Sequence, residues 1–288
     1  MKLLSLISTI FIVMMLFACS NKVNHNDDVK VIYLHHSTGE HIWGVPTSFI
    51  TKVARRLDDR IADKIGSKAL LPSLFSEYNK TNDKNYSIKK MAFPRSKPYG
   101  WHNYPYDYYN IWVKNAGPNE YMDEPTLEIL TEDYQVVIFK HCFPVSNIQA
   151  DGDSANIDSR VRTINNMKLQ YNALKDKLHE FPSTKFILFT GAVQVKAFIT
   201  EEEALRARAF FNWVKDEWDS DGDNIYLWDL YSIQTDGGLY FKDEFAKSPN
   251  DSHPNNEFSV KAAHLLFKRI IDIIENDGTK TLLTGEIY

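Results

Sequence analysis

Two short motifs, one near each end of the chain, contain the side chains that suit nucleophilic chemistry. At the first, an apolar run at 31–34 gives way to His35-His36-Ser37-Thr38-Gly39; the second reads Asn250-Asp251-Ser252-His253-Pro254-Asn255. Serine is a weak nucleophile until a neighbouring base takes its proton, and histidine is the side chain that most often does so. If folding brings Ser37 to His253, the pair predicts a serine hydrolase.

Strands and helices must alternate to bring the two motifs together. Apolar runs rich in β-branched and aromatic residues predict buried strands at 29–34, 134–140, 185–190 and 224–231. Helical spacing predicts helices at 46–65, 165–180, 201–218 and 256–276. This alternation predicts an α/β fold, a three-layer α/β/α sandwich around a mostly parallel sheet. Because ligands bind beyond the carboxyl ends of such strands, the motif after the first strand and residues 141–147 are expected at one edge.

One segment, 86–117, interrupts the alternation because it is rich in aromatic residues and prolines. Its composition predicts a long aromatic loop insertion packed over the sheet edge, and long ordered loops are often functional. The rings suit either a platform for sugars or a cover packed on itself. The candidate substrate-binding residues near this edge are His36, Trp101, His102 and His141.

The N-terminus is typical of an export signal. Lys2 precedes an apolar stretch at 3–18, and Cys19 follows it. A cysteine at this point is similar to the lipobox of bacterial lipoproteins. We therefore expect a signal peptide at 1–18, lipidation at Cys19, a flexible tether at 19–28 and one domain at 29–288, held to the bacterial cell envelope, at the periplasmic or surface face of the outer membrane. The alternative is a plain N-terminal anchor, although this stretch is shorter than the ~20 residues that a spanning helix needs.

The placement of the motifs resembles that of the SGNH (GDSL-type) hydrolases, in which the nucleophilic serine follows the first strand and the histidine lies in a late Asp-x-x-His-Pro loop. His35-His36-Ser37 stands where that family has Gly-Asp-Ser, and Ser252-His253-Pro254 stands in the histidine loop. Further strings are similar to an exported bacterial subgroup: Tyr106-Asp107-Tyr108-Tyr109-Asn110-Ile111-Trp112, Phe139-Lys140-His141-Cys142-Phe143-Pro144 and Arg206-Ala207-Arg208-Ala209-Phe210-Phe211-Asn212-Trp213. The resemblance implies a flavodoxin-like fold and an esterase without a cofactor.

The sequence departs from the family pattern at the acid and at the oxyanion donors. The family's acid lies three residues before the histidine, where this chain has Asn250, and Asp251 lies two before it. Either Asp251 orients His253, or a backbone carbonyl does so and the site is a serine–histidine dyad. For the oxyanion the resemblance implies the Ser37 amide, with Gly100 as the glycine and Asn147 as the nearest asparagine after the second buried strand.

Composition and spacing argue against several other functions. A net charge of −5 leaves no basic footprint for nucleic acid. The histidines lack the spacing of a zinc site, so no metal is predicted. The segment Asp219-Ser220-Asp221-Gly222-Asp223-Asn224 is similar to part of a calcium loop, and we interpret it as a solvated turn. If Cys19 is acylated, Cys142 has no partner and is expected to be a packed thiol.

These observations predict a serine esterase whose substrate is an acylated small molecule, carbohydrate or glycan. Ser37 attacks the ester, His253 takes its proton and Asp251 orients the imidazole. The alternative is a non-catalytic, glycan-binding surface lipoprotein, in which Ser37 and Thr38 only cap a helix. The two hypotheses differ on whether the Ser37 hydroxyl lies within hydrogen-bond reach of a His253 ring nitrogen.

Overall fold

A five-stranded parallel sheet forms the centre of the computed structural model, which describes residues 28–44, 69–95, 97–99 and 102–288. The strands are β1 (Asp28–His35), β2 (Asn85–Ala92), β3 (Val136–Phe139), β4 (Lys185–Phe189) and β5 (Ile225–Trp228). Their spatial order is β2-β1-β3-β4-β5, and every neighbouring pair is parallel. This is the flavodoxin-like order, and it confirms the predicted α/β class.

Helices cover both faces of the sheet. In the described residues they are α1 (Thr38–Trp43), α2 (Leu70–Asn82), α3 (Pro105–Tyr108), α4 (Leu127–Asp133), α5 (Ile164–His179), α6 (Glu201–Trp213), α7 (Leu230–Thr235) and α8 (Asn256–Asn276). α3 continues as a π-helix at Tyr109–Lys114, and α6 does so at Val214–Trp218. α8 contacts α1, α2, β4 and β5, whereas α5 contacts α3 and its π-helical continuation. Right-handed crossovers place these two groups on opposite faces, which gives three layers.

The core is a continuous apolar cluster that includes the central strands and the inner faces of the helices. All four residues of β3 are buried, as expected for a strand with helices on both sides. α8 begins where the Asn255 side chain accepts the Phe258 amide at 2.9 Å. Its buried stripe, which includes Ala262, Leu266 and Ile270, holds the end of the chain against the sheet.

The structure corrects the prediction of one long aromatic loop at 86–117. Residues 85–92 form the edge strand β2, whose alternating burial was obscured by exposed polar side chains. Pro105 starts α3, because proline is tolerated in the first helical turn. The rings at 104, 106, 108, 109 and 112 are buried. These five rings form a cover packed on itself.

Two other boundaries differ from the prediction. The strand predicted at 224–231 ends at Trp228, because the Asp229 side chain accepts the Ser232 amide and starts α7. The late motif, expected as a turn, is the strand β7 (Asp251–Pro254), paired antiparallel with β6 (Ala246–Ser248).

Several predictions fall outside the described residues: the signal peptide at 1–18, most of the tether, the lipidation site Cys19, the helix at 46–65, Gly100 and Trp101. Within the described part of the chain, no helix is both long enough and apolar enough to cross a membrane.

Candidate active site

Ser37 occupies a tight turn between β1 and α1. Its backbone angles are φ 47° and ψ −105°, and a positive φ is unfavourable for a residue with a side chain. Backbone hydrogen bonds from Gly39 to His36 O and from Glu40 to Ser37 O, both 2.9 Å, close the turn. The turn places the half-buried Ser37 at the carboxyl edge of the sheet.

Gly39 allows this turn to lie close to β1. A Cβ atom at Gly39 would lie 2.5 Å from His35 Cβ and 2.9 Å from Tyr33 Oη. The Tyr33 hydroxyl also donates to the Gly39 carbonyl at 3.2 Å. The glycine is therefore required by close approach rather than by its own φ angle.

The hairpin of β6 and β7 carries His253 to this turn. Ser252 Oγ accepts the Val195 amide at 3.1 Å, which fixes β7 against the loop after β4. His253 Nε2 lies 2.5 Å from Ser37 Oγ, although 216 positions separate the two residues. The two motifs therefore meet, and the distance is that of a hydrogen bond.

Asp251 holds the other side of the imidazole. Its Oδ1 accepts the His253 backbone amide at 3.0 Å and lies 2.6 Å from His253 Nδ1. Partial burial opposes ionisation of Asp251, but these two hydrogen bonds, together with the nearby His253 and Lys247, bring its pKa below the usual value. With the proton on Nδ1, Nε2 is free to accept from Ser37. The residue that orients the His253 ring is therefore Asp251. Asn250, which stands at the position of the acid in the SGNH pattern, is exposed.

Phe143 and His41 flank the His253 ring. The Phe143 ring packs edge-on with its centroid 5.5 Å away, and that of His41 lies 5.4 Å away. Burial, assisted by Lys247 and His253, lowers the pKa of His41 to about 4. His41 is therefore neutral near pH 7, and its Nε2 accepts from Lys247 Nζ at 3.2 Å. These neighbours fix His253 while its side chain stays 34% exposed to solvent.

Asn147 follows a 3₁₀ turn (Phe143–Ser146) at the same edge. Its Oδ1 accepts Gln194 Nε2 at 2.8 Å, which fixes the plane of the Asn147 amide. Arg206 Nε donates to the carbonyl of the next residue, Ile148, at 2.6 Å and anchors this loop. Asn147 thus lies in an ordered loop next to the site, and its role in binding an oxyanion stays a prediction.

The structure buries two of the predicted substrate-binding residues. His36 is 7% exposed, and its ring bonds to the Pro94 carbonyl. His141 is fully buried, with its ring centroid 4.7 Å from that of Tyr108. Burial, with a contribution from Lys140, lowers the pKa of His141 to about 3, so this ring is neutral. His102 is exposed and remains a candidate.

The sequence interpretation missed three residues of this site: His41, Phe143 and Lys140. His41 lies four positions after Ser37, the spacing that places two residues on one face of a helix. Lys140 ends an apolar strand with a charge and is fully buried behind the Ser37 turn. The spacing of His41 and the lysine at the end of an apolar run can both be seen in the sequence, but neither observation indicates what the side chain contacts.

Among the described residues, no group of three or more His, Cys, Asp or Glu side chains is arranged to hold a metal ion. In the acidic turn at 219–224, the Asp223 carboxylate accepts the Ile225 amide at 2.8 Å. Burial, with neighbouring carboxylates, raises the pKa of Asp219 to about 6.

Comparisons with known proteins add little to this geometry. No family model and no curated protein matches the chain. One solved structure, a gut microbial diltiazem-metabolizing enzyme, is similar at 11% identity with a TM-score of 0.43. The similarity covers 84% of this chain and 46% of the enzyme, so the chain spans about half of the enzyme's length. At this level the likeness carries no information on the reaction.

Proposed function

We propose that this protein is a serine hydrolase of SGNH type that cleaves ester bonds. The observation that carries the proposal is the unbroken chain of hydrogen bonds from Ser37 Oγ to His253 Nε2 at 2.5 Å and from His253 Nδ1 to Asp251 Oδ1 at 2.6 Å. Nucleophile, base and orienting acid in this order are the arrangement that activates a serine hydroxyl. The positive φ of Ser37 adds support, since backbone strain clusters at functional sites.

In the proposed reaction Ser37 Oγ bonds to the acyl carbon while its proton moves to His253 Nε2. The carbonyl electron pair moves to the oxygen, and the Ser37 amide binds this oxyanion, with Asn147 and Gly100 as further candidate donors. Collapse expels the alcohol, which takes the proton from His253. A water molecule then repeats the sequence on the acyl-enzyme and releases the acid.

The substrate class is the finer part of the proposal, and we assign it to acylated carbohydrates. Support comes from the export signal that the sequence predicts at 1–18 and from the exposed His102. The backbone carbonyl of the neighbouring Asn103 accepts the Cys142 amide at 2.8 Å on the catalytic edge. The buried aromatic rings of α3 lend no support. The non-catalytic alternative requires neither the hydrogen-bond chain nor the strained serine, so these features favour the enzyme.

A fluorophosphonate probe and aryl acetates test the proposed reaction. We expect the probe to label Ser37, and Ser37→Ala to lower the hydrolysis rate at least about 10³-fold. Ser87→Ala, at an exposed serine of β2, should leave the rate unchanged. An unlabelled wild-type chain with no activity on aryl acetates would exclude a serine hydrolase. Acetate release from acetylated oligosaccharides, measured beside aryl acetates, tests the substrate class alone.

A further inference from the structure

Lys140 is a fully buried lysine in the layer beneath the nucleophile. It directly follows β3, so its backbone lies at the catalytic edge, and the Tyr108 hydroxyl donates to its carbonyl at 2.7 Å. Lysine is almost never fully buried unless it is paired. Among the described residues, no carboxylate forms an ion pair with it. Burial of a lysine without an ion pair costs free energy, so the position of Lys140 needs a physical explanation.

The contacts of the Lys140 amine lead to the catalytic serine. Nζ donates to the His36 carbonyl at 3.2 Å and lies 3.5 Å from Cys142 Sγ. The His36 carbonyl belongs to the same planar peptide group as the Ser37 N–H. In a trans peptide these two groups point in opposite directions. A donor that fixes the carbonyl therefore also fixes the direction of the Ser37 amide.

The hydrogen bond from Lys140 to the His36 carbonyl helps to hold the strained turn at Ser37 in place. A residue at φ 47° and ψ −105° stays there only if its surroundings hold it. The His36 carbonyl accepts from Lys140 and from the Gly39 amide at 2.9 Å. A carbonyl that accepts hydrogen bonds also polarises its peptide, and the N–H of that peptide becomes a stronger donor.

The three histidines around Lys140 have pKa values below the usual range. Burial, with smaller contributions from Lys90 at His35 and from Lys140 at both rings, lowers the pKa values of His35 and His141 to about 3, so neither ring is charged near pH 7. Burial also lowers the pKa of His36, whose ring bonds to the Pro94 carbonyl. Burial lowers the pKa of Lys140 itself, with Cys142 acting in the opposite direction. Both the ammonium and the amine carry N–H groups, so donation to His36 survives either state.

We propose that Lys140 is a positioning residue for oxyanion binding: its donation to the His36 carbonyl aims and strengthens the Ser37 amide toward the developing negative charge. This inference rests on the proposed hydrolase function. Oxyanion donors act mainly in the transition state, so weakening one lowers kcat and leaves substrate binding almost unchanged.

The test compares Lys140→Met and Lys140→Gln with a matched control, Lys185→Met. Lys185 Nζ also donates to a backbone carbonyl, that of Ile273 at 2.5 Å, but it begins β4 at the opposite edge of the sheet. We expect Lys140→Met to lower kcat on an aryl acetate about 10- to 100-fold with KM within about twofold. Lys185→Met should lower the melting temperature and leave kcat unchanged.

A trifluoromethyl ketone supplies a second readout, because its adduct with serine places a negative oxygen in the oxyanion position. Its inhibition constant should rise in Lys140→Met by the same factor by which kcat/KM falls. Lys140→Gln, which retains a shorter donor, should lie between wild type and Lys140→Met.

Three outcomes would overturn the assignment. The first is an active wild type with unchanged kcat in folded Lys140→Met, which would leave the hydrolase proposal intact. The second is a change confined to KM. The third is loss of folded protein in both Lys140 variants, which would make Lys140 a residue of core stability alone. An inactive wild type would instead contradict the proposed function itself.

Discussion

At the scale of single residues, the main feature is an acid placed two positions before its histidine. Residues two apart in a strand share a face, so β7 presents Asp251 and His253 side by side. An acid three positions away serves the same purpose from a turn, but from an extended strand it points to the other face. The residue at that position, Asn250, is exposed. The shift of the acid from three to two positions before the histidine therefore matches the change of this segment from a turn to a strand.

Asp251→Asn is expected to lower kcat on the order of 10²- to 10⁴-fold, because the amide no longer selects the imidazole tautomer that accepts from Ser37. Initial rates on an aryl acetate measure the effect. Asn250→Ala is the matched control and should stay within about twofold of wild type, since its side chain is exposed. A rate for Asp251→Asn close to wild type would show that a dyad is sufficient.

The sequence identifies the reacting atoms better than the groups that support them. Ser37 and His253 belong to short motifs at the ends of elements, so their meeting followed from topology. His36 directly follows β1 and His141 lies two positions after β3, and both side chains are buried in the layers that cover the sheet, which the motifs alone do not reveal. The bond from Lys140 to the His36 carbonyl spans 104 positions. A contact of this kind between a side chain and a distant backbone group leaves no pattern in either segment.

At the scale of elements, α3 contains a buried carboxyl group, that of Asp107. Asp107 is 3% exposed, and its Oδ2 has no hydrogen-bond partner among the described residues. Burial raises its pKa from 3.8 to about 7, although the Tyr104 and Asn103 backbone amides act in the opposite direction. The folded chain therefore keeps a proton that the unfolded chain loses near pH 4. Between these two pKa values the native state binds more protons, so stability falls as the pH rises.

Asp107→Asn removes this titration while it keeps an acceptor for the two amides. From pH 5 to pH 8 the variant should gain on the order of 3 kcal/mol in free energy of unfolding relative to wild type. Thermal unfolding at both pH values measures this as a shift of several degrees. Asp133→Asn, at an exposed carboxyl, controls for the loss of one negative charge. If the free energies of unfolding of Asp107→Asn and wild type differed by the same amount at both pH values, the raised pKa of Asp107 would be contradicted.

The buried central strands and the closing helix were predictable from the sequence, whereas β2 and α3 were not. β3 is apolar throughout, β4 is apolar after Lys185, and α8 has a clear apolar stripe. β2 is an edge strand with the exposed Lys89 and the partly exposed Lys90, and such lysines protect an edge from pairing with other chains but weaken the strand signal. In α3 the prolines and tyrosines that favoured a loop are accommodated at the start of a helix and in a buried cover.

At the scale of the whole molecule, the end of the chain closes the fold on the side away from the catalytic turn. Arg269 of α8 donates to the carbonyls of Leu227 at 3.1 Å, Gly278 at 2.8 Å and Thr281 at 3.2 Å. Asp272, 3.7 Å from Arg269, accepts the amides of Lys280 and Thr281. This buried pair joins β5, α8 and the segment that follows.

Arg269→Met should lower the free energy of unfolding by about 3–5 kcal/mol, because it leaves the buried Asp272 and three carbonyls without their cation. Chemical denaturation measures this loss. kcat should not change at temperatures where the variant is folded, since the pair does not contact the catalytic turn. Lys268→Met, at the exposed neighbouring position, is the control. A loss below about 1 kcal/mol would show that the pair contributes little to stability.

The burial of Cys142 gives this molecule an internal reporter of local opening. Its thiol is 5% exposed and lies 3.5 Å from Lys140 Nζ, within the layer that supports Ser37. A thiol-specific reagent can react with it only when that layer opens, so the modification rate in a Cys19→Ser chain measures the free energy of opening. Comparison with the free energy of global unfolding then shows whether the catalytic edge exchanges with solvent by itself or only when the whole sheet comes apart.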